Sequence, residues 1–132
     1  MRGAFALIIY NQKLLMLLRD DNPEISSPNC WSLVGGRIED GETSEEALIR
    51  EAKEEANIEI VNPKFLFTTP DGYSDLYLVR LTEGQVKDMR LGNEGQKLEF
   101  WSLDEIGKIK LGRKMTFYYK EHYDFLKKIL EK

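Results

Sequence analysis

Strands lead this chain, one helix interrupts them and another closes it, an order that predicts an α/β sandwich with a mixed β-sheet held between helices. Three features carry that expectation. Two β-favouring apolar runs, residues 4–10 (AFALIIY) and 13–19 (KLLMLLR), flank the polar pair Asn11-Gln12 at hairpin distance. Residues 43–56 open on a Thr43/Glu46 pair with capping-box spacing and carry helix formers up to Asn57. Residues 115–130 place Met115, Tyr118, His122, Phe125, Leu126 and Ile129 at helical spacing.

The remaining elements follow in order. Residues 20–29 hold two prolines, two serines, two asparagines and two aspartates, and read as a loop. Residues 30–34 (CWSLV) form a short strand ending at Gly35-Gly36. After the first helix, residues 58–60 and 65–69 are short strands around Pro63, and 73–81 (YSDLYLVRL) is a stronger one. Residues 82–96, rich in glycine and charge, read as a loop. Residues 97–103 return to strand, and 104–109 form a helical turn capped by Ser102 or Asp104. No internal repeat or low-complexity tract interrupts this order, so residues 1–132 are expected to form a single domain.

Composition narrows the class. With 42% hydrophobic and 32% charged residues, the chain has the balance of a soluble globular protein rather than a disordered or fibrous one. A net charge of −4 argues against a duplex nucleic-acid binder, which would carry a basic face. It leaves a nucleotide substrate open, because a metal can bridge two anions. Cys30 is the sole cysteine, so no intrachain disulfide forms, which fits a reducing compartment. The apolar run 4–10 is too short to span a bilayer and lacks a signal-peptide pattern. The expectation is a cytoplasmic protein with no membrane partner.

The chemistry concentrates in residues 36–58. Between Glu39 and Glu55 lie eight carboxylates, Glu39, Asp40, Glu42, Glu45, Glu46, Glu51, Glu54 and Glu55, against two basic residues, Arg50 and Lys53. Like charges one turn apart on a helix repel, and a cation would offset that. Oxygen ligands with no nearby His or Cys suit Mg²⁺, with Mn²⁺ as a substitute, rather than Zn²⁺. At 100° per residue, Leu48, Ile49, Ala52 and Ala56 form one buried face, and Glu51, Glu54 and Glu55 occupy the neighbouring arc. Three carboxylates thus project from one side of a helix anchored on the other.

The spacing Gly36, five residues, Glu42, seven residues, Arg50-Glu51, then Glu54-Glu55 and Ile58 resembles the signature box of the Nudix hydrolases, which cleave a diphosphate linked to another moiety. Two positions depart from it. Ala52 replaces a larger aliphatic, and Asn57 replaces a glycine, Asn being the next-best residue in a left-handed helix-ending conformation. The resemblance implies the Nudix α/β/α sandwich. It also implies a Mg²⁺-dependent pyrophosphohydrolase acting on a nucleoside diphosphate linked to X, with nucleoside triphosphates, damaged ones included, first and nucleotide sugars second. In its terms Glu51, Glu54 and Glu55 bind metal, the Gly35 carbonyl is a further ligand, Arg50 orients a carboxylate from within the box, and Glu42 is its partner. Glu51 serves as the base in some members. Val34 stands where the family often has proline.

Residues 92–103 resemble the stretch of MutT-like members in which a loop Glu reaches the metals or activates water. Glu94 occupies that place and Glu99 competes for it. Residues 110–118 hold no Asn where oxidised-guanine enzymes place a base-reading one, which argues against an 8-oxo-dGTP role. The segment from Arg19 through Pro28 to Trp31 also looks like a recurrent Nudix feature. Arg19 is a candidate for a phosphate, Trp31 for either the base or sugar pocket or the core, and Arg37 for either a phosphate or a surface ion pair. Phe117, Tyr118, Tyr119 and Tyr123 read mainly as core, with base stacking as the other use, and His122 as packed or solvated. Dimers are common in the family, so a homodimer is an open expectation. The rival is a catalytically silent nucleotide-binding module, which predicts lost box carboxylates; Glu51, Glu54 and Glu55 are all present.

Overall fold

The computed structural model describes residues 2–132; Met1 lies outside the described residues. Strands β1 (Gly3–Tyr10) and β2 (Lys13–Leu18) form the expected hairpin. Asn11 and Gln12 both take positive φ, 52° and 62°, as a two-residue turn matched to strand twist requires. β1 then becomes the centre of a mixed seven-stranded sheet. It runs antiparallel to β2 and to β4 (Val34–Arg37), and parallel to β6 (Ser74–Arg80). The order is β3-β2-β1-β6-β5, with β4 on β1 and β7 (Lys97–Trp101) on β2; β3 is Trp31–Ser32 and β5 is Lys64–Thr68.

Alternation along β1 makes two cores. Ala4, Ala6 and Ile8 point to one face, where Ala47, Leu48, Ala52 and Ala56 of helix α1 (Ser44–Ala56) cover them. Leu7 and Ile9 point to the other, against Met115, Tyr118, Leu126 and Ile129 of the closing helices. The result is the α/β/α sandwich the sequence predicts.

Helix α1 keeps its expected ends. Thr43 and Glu46 form a reciprocal capping box, and Asn57 ends the helix in the left-handed region at φ 55° and ψ 41°, so replacing the usual glycine leaves the turn intact. Ile49, expected on the buried face, is only partly buried at its edge.

Other elements differ from the sequence reading. The strand over 30–34 does not stop at the glycines. It changes partner at Leu33, from β2 to β1, and continues through Gly35 and Gly36 to Arg37. Residues 58–60 form no strand: Ile58 and Ile60 are plugged into the core beneath α1. The loop over 82–96 contains helix α2 (Glu83–Asp88), opened by a Thr82–Gln85 capping box. Helix α3 (Leu103–Ile106) is capped by Ser102, and starts one residue earlier than expected. The closing helix begins at Arg113 and breaks at His122 (φ −119°, ψ 26°) into α4 (Arg113–Glu121) and α5 (Tyr123–Leu130). The His122 ring packs on Phe67, centroids 5.0 Å apart, and the bend lets both halves follow the sheet.

Candidate active site

Arg50 organises the acidic end of α1. Its guanidinium donates from Nε to Glu42 Oε2 at 2.8 Å and from Nη2 to Glu42 Oε1 at 3.0 Å, a two-pronged pairing. Nη1 reaches Glu51 Oε1 at 2.9 Å and Glu54 Oε2 at 3.4 Å, and Nη2 also donates to the Arg37 carbonyl at 3.0 Å. Glu42 accepts, besides, from the Glu39 amide at 2.9 Å. The Arg50 hydrogen bond, then that amide, hold the Glu42 pKa down to about 2.

Glu55 is placed differently. Its Oε1 accepts from the Gly35 amide at 2.8 Å. Burial pushes its pKa up to about 8 against the opposing pull of that amide, and the charges of Glu51 and Glu94 add to the rise. Glu51 is also raised, first by burial, while Arg50 acts the other way and Glu54 and Glu94 reinforce the rise. Glu54 is the outermost of the three, with 58% of its side chain exposed.

The glycines are steric requirements. A Cβ on Gly36 would lie 2.6 Å from the Glu51 carboxyl carbon. Gly35, at φ +144°, presses on β1, where a Cβ would meet the Ala4 carbonyl oxygen at 2.2 Å. Gly92 fits against the end of α1, where a Cβ would strike the Glu54 carbonyl oxygen at 1.8 Å. Through Gly92 the loop that carries Glu94 is tied to α1: the Gly92 amide donates to the Glu55 carbonyl at 3.0 Å and the Arg90 amide to the Ala56 carbonyl at 3.0 Å. Gly95 N–H to Asp20 Oδ1 at 3.1 Å fixes the loop's other side.

Glu94 therefore acts on both Glu51 and Glu55, whereas Glu99 shares a face with Met16, away from α1, and lies 3.9 Å from Lys97. Arg19 donates to the Ser26 carbonyl at 2.8 Å, and its charge reaches Glu55. Arg37 is exposed and contributes its carbonyl to Arg50. Trp31 is buried edge-on against Trp101, ring centroids 5.1 Å apart, and is not among the residues that line the cleft beside Glu55.

That cleft measures about 500 Å³. Gly35, Glu55, Phe5, Arg19 and residues of α4 line it. Helix α4 supplies Arg113, Lys114, Met115 and Tyr118; the first three were not assigned to the site from sequence, and Tyr118 was read mainly as core, with base stacking as the other use. One signal was available: two cations open a helix whose first turn holds no acid, against the helix dipole. A second depression, about 470 Å³ between Lys53 and Arg90, holds none of the box carboxylates.

Among the described residues no group of three or more His, Cys, Asp and Glu side chains is already gathered to hold a metal ion. Arg50 draws Glu51 to one side and the Gly35 amide fixes Glu55. The donor chemistry nevertheless fits a hard divalent cation. The ligands are oxygens alone, and the ionised forms of Glu51 and Glu55 are penalised first by burial and then by neighbouring carboxylates, Glu54 and Glu94 at Glu51 and Glu51 and Glu94 at Glu55, a penalty a cation offsets.

Residues 1–125 match the model of the NUDIX domain. The chain belongs to the Nudix family. Among curated proteins, this Nudix chain is 30% identical over 111 residues to the ADP-ribose pyrophosphatase of Methanocaldococcus jannaschii, covering 78% of the chain and 62% of that protein. It is 41% identical over 58 residues to the dihydroneopterin triphosphate diphosphatase of Escherichia coli K12, covering 42% of the chain and 35% of that protein. The chain thus spans less than two-thirds of the length of either relative. The MutT NUDIX hydrolase of Burkholderia pseudomallei shares the fold at TM-score 0.72 and 23% identity, over 90% of this chain and 95% of that one. So does the NUDIX domain of Shewanella oneidensis NrtR, solved with ADP ribose, at TM-score 0.73 and 17% identity, over 96% and 88%. No helix of the described residues is long and apolar enough to cross a membrane.

Proposed function

We propose that this Nudix chain is a Mg²⁺-dependent pyrophosphohydrolase acting in the cytoplasm as one domain on a nucleoside diphosphate linked to X, with Mn²⁺ as a substitute metal. The observation that carries the reading is the buried carboxylate of Glu55 in the lining of the cleft, held on the Gly35 amide and opposed by the charges of Glu51 and Glu94. Mg²⁺ held there by Glu51, Glu54 and Glu55, with Glu94 and the Gly35 carbonyl as further ligands, would neutralise the diphosphate and acidify a bound water. Arg50 keeps Glu51 and Glu54 in place through Glu42. Arg19, Arg113 and Lys114 give the walls a positive charge suited to phosphate oxygens. Water attacks one phosphorus of the anhydride and the phosphate on the other side leaves, yielding a nucleoside monophosphate and pyrophosphate or phospho-X. Glu51, Glu55 and Glu94 are the candidates for the base.

For X, a nucleoside triphosphate is one reading. A nucleotide sugar is the reading supported by the longest of the matches described, which runs over 111 residues to a protein named for ADP-ribose, against 58 residues for the triphosphate-named one. The test is product release from nucleoside triphosphates, oxidised nucleotides, ADP-ribose and other nucleotide sugars. It is run with Mg²⁺, with chelator and with Glu55→Gln. Turnover that needs both the metal and Glu55 supports the hydrolase. Nucleotide-dependent stabilisation without turnover on any compound replaces it with a binding module.

A further inference from the structure

Two loops are joined to each other beside the carboxylates. Residues 19–29 carry Arg19, which lines the cleft together with Ser26 and Ser27. Residues 90–96 carry Glu94. None of the residues in either loop is buried, so hydrogen bonds rather than apolar packing set where the loops lie.

The first loop is closed at its feet by two backbone bonds. The Arg19 amide donates to the Cys30 carbonyl at 2.9 Å, and the Asn29 amide to the Asp20 carbonyl at 3.0 Å. Gly95 and Gln96 grip those feet. The Gly95 amide donates to Asp20 Oδ1 at 3.1 Å, and the Gln96 backbone N–H to the Leu18 carbonyl at 2.8 Å. The Gln96 side chain reaches both feet at once. Its Nε2 donates to the Arg19 carbonyl at 2.8 Å and to Asn29 Oδ1 at 3.0 Å, which uses both of its protons.

Gln96 thus stands two residues after Glu94 in one loop and bonds directly to the backbone of Arg19 in the other. Both of those side chains bear on the carboxylates: Glu94 acts on Glu51 and Glu55, and the charge of Arg19 reaches Glu55. The Arg19 guanidinium is tied within its own loop, Nε to the Ser26 carbonyl at 2.8 Å, so it goes where that loop goes. Gln96 itself is exposed and is not among the residues that line the cleft. A side chain outside the cleft that joins the carrier of an acid to the carrier of a cation is placed to fix their separation rather than to touch a substrate.

We propose that Gln96 is a positioning residue whose carboxamide clips the Arg19 loop to the Glu94 loop, so that the contact to a diphosphate and the acidic contact to its metal are set together. This rests on the pyrophosphohydrolase reading, which supplies the diphosphate and the metal. The test is Gln96→Met, close in length but without a donor. Asn29→Gly is a second variant, removing one acceptor at a position whose φ of 56° glycine accepts. Calorimetry gives the affinity for Mn²⁺ alone and, at saturating Mg²⁺, for methylenediphosphonate, a diphosphate that cannot be hydrolysed. Each is repeated in Arg19→Ala and Glu94→Gln backgrounds. Gln96→Met is expected to weaken both affinities about 3- to 10-fold, the loss of a neutral hydrogen bond, and Asn29→Gly to weaken both by less. The methylenediphosphonate effect vanishes in the Arg19→Ala background and the Mn²⁺ effect in the Glu94→Gln background, because residues that act through one another are not additive. Losses that are equal in every background, a loss in one affinity alone, or changes below about twofold overturn the proposal. If the parent protein binds both probes but hydrolyses none of the nucleotide panel, the hydrolase reading fails and the two binding cycles still decide the role of Gln96. A parent protein that binds neither probe overturns both.

Discussion

The amide of Gly35 donates a 2.8 Å hydrogen bond to Glu55 Oε1, joining strand β4 to helix α1 at the point where the cleft begins. This bond holds a buried carboxylate that the rest of its surroundings oppose, and the opposition has a pH signature. The folded-state pKa of Glu55, about 8, lies above its ordinary value of 4.5. The group therefore adds stability that is fully present below pH 4.5 and is lost as pH rises through 8. In chelator, the melting temperature of the parent protein is expected to fall between about pH 4.5 and 8, and that of Glu55→Gln to stay flatter. Parallel curves would refute the assignment. The same variant is expected to abolish metal-dependent turnover.

Arg50→Lys keeps the charge but loses the fork that grips both oxygens of Glu42. Partners that orient metal ligands typically cost about 10- to 100-fold in activity or metal affinity when changed. That range is expected for Arg50→Lys and for Glu42→Gln, read as kcat/KM against Mg²⁺ concentration. A loss below twofold would show that Arg50 does not position the box carboxylates.

Gly36→Ala and Gly92→Ala should separate activity from stability. The new methyl at 36 meets the movable carboxylate of Glu51, so activity falls while the melting temperature changes little. At 92 it meets the backbone oxygen of Glu54, so the loop must leave the helix and both quantities fall. Activity and thermal denaturation of the two proteins, measured side by side, check the contrast.

Asp75 sets part of the acid limit. It is buried on β6, pairs with Arg2 and accepts from Thr68 Oγ1 at 2.8 Å. Burial alone would raise its pKa, but the hydrogen bonds from Ser44 and Thr68 and the Arg2 charge outweigh burial, and the net shift is downward. Its stabilisation is present above the ordinary aspartate value of 3.8 and is lost as pH falls through the lower folded value. Asp75→Asn is expected to reduce stability at pH 7 and to flatten the acid-denaturation curve below pH 4. An unchanged acid limb would show that the ion pair carries no net stability.

What the sequence disclosed and withheld has local causes. The hairpin was legible because Asn11-Gln12 interrupts two apolar runs, and α1 because its capping box, apolar face and Asn57 stop agree. Helix α2 escaped because glycine and charge masked a Thr82–Gln85 box of the same kind. Ile58 and Ile60 look like a strand but serve as a core plug, since alternation records burial and not pairing. The carboxylates could be placed because they share one helix. The cleft wall from Arg113 to Tyr118 could not, because it meets the carboxylates only across the sheet, through contacts distant in sequence.

The central position of β1 also shapes how the chain reaches its fold. Gly3 pairs with Ser74 and Ile9 with Arg80, so the strand that organises the sheet lacks its parallel neighbour until the chain has grown past residue 80. The β1–β2 hairpin closes early and locally, whereas the β1–β6 pairing must close a long loop before any contact rewards it. During synthesis Leu7, Ile9 and Ile8 wait uncovered on a strand with a vacant edge. The first decades of residues are thus a stretch where a slow ribosome or a scarce chaperone would be felt as aggregation rather than as lost activity.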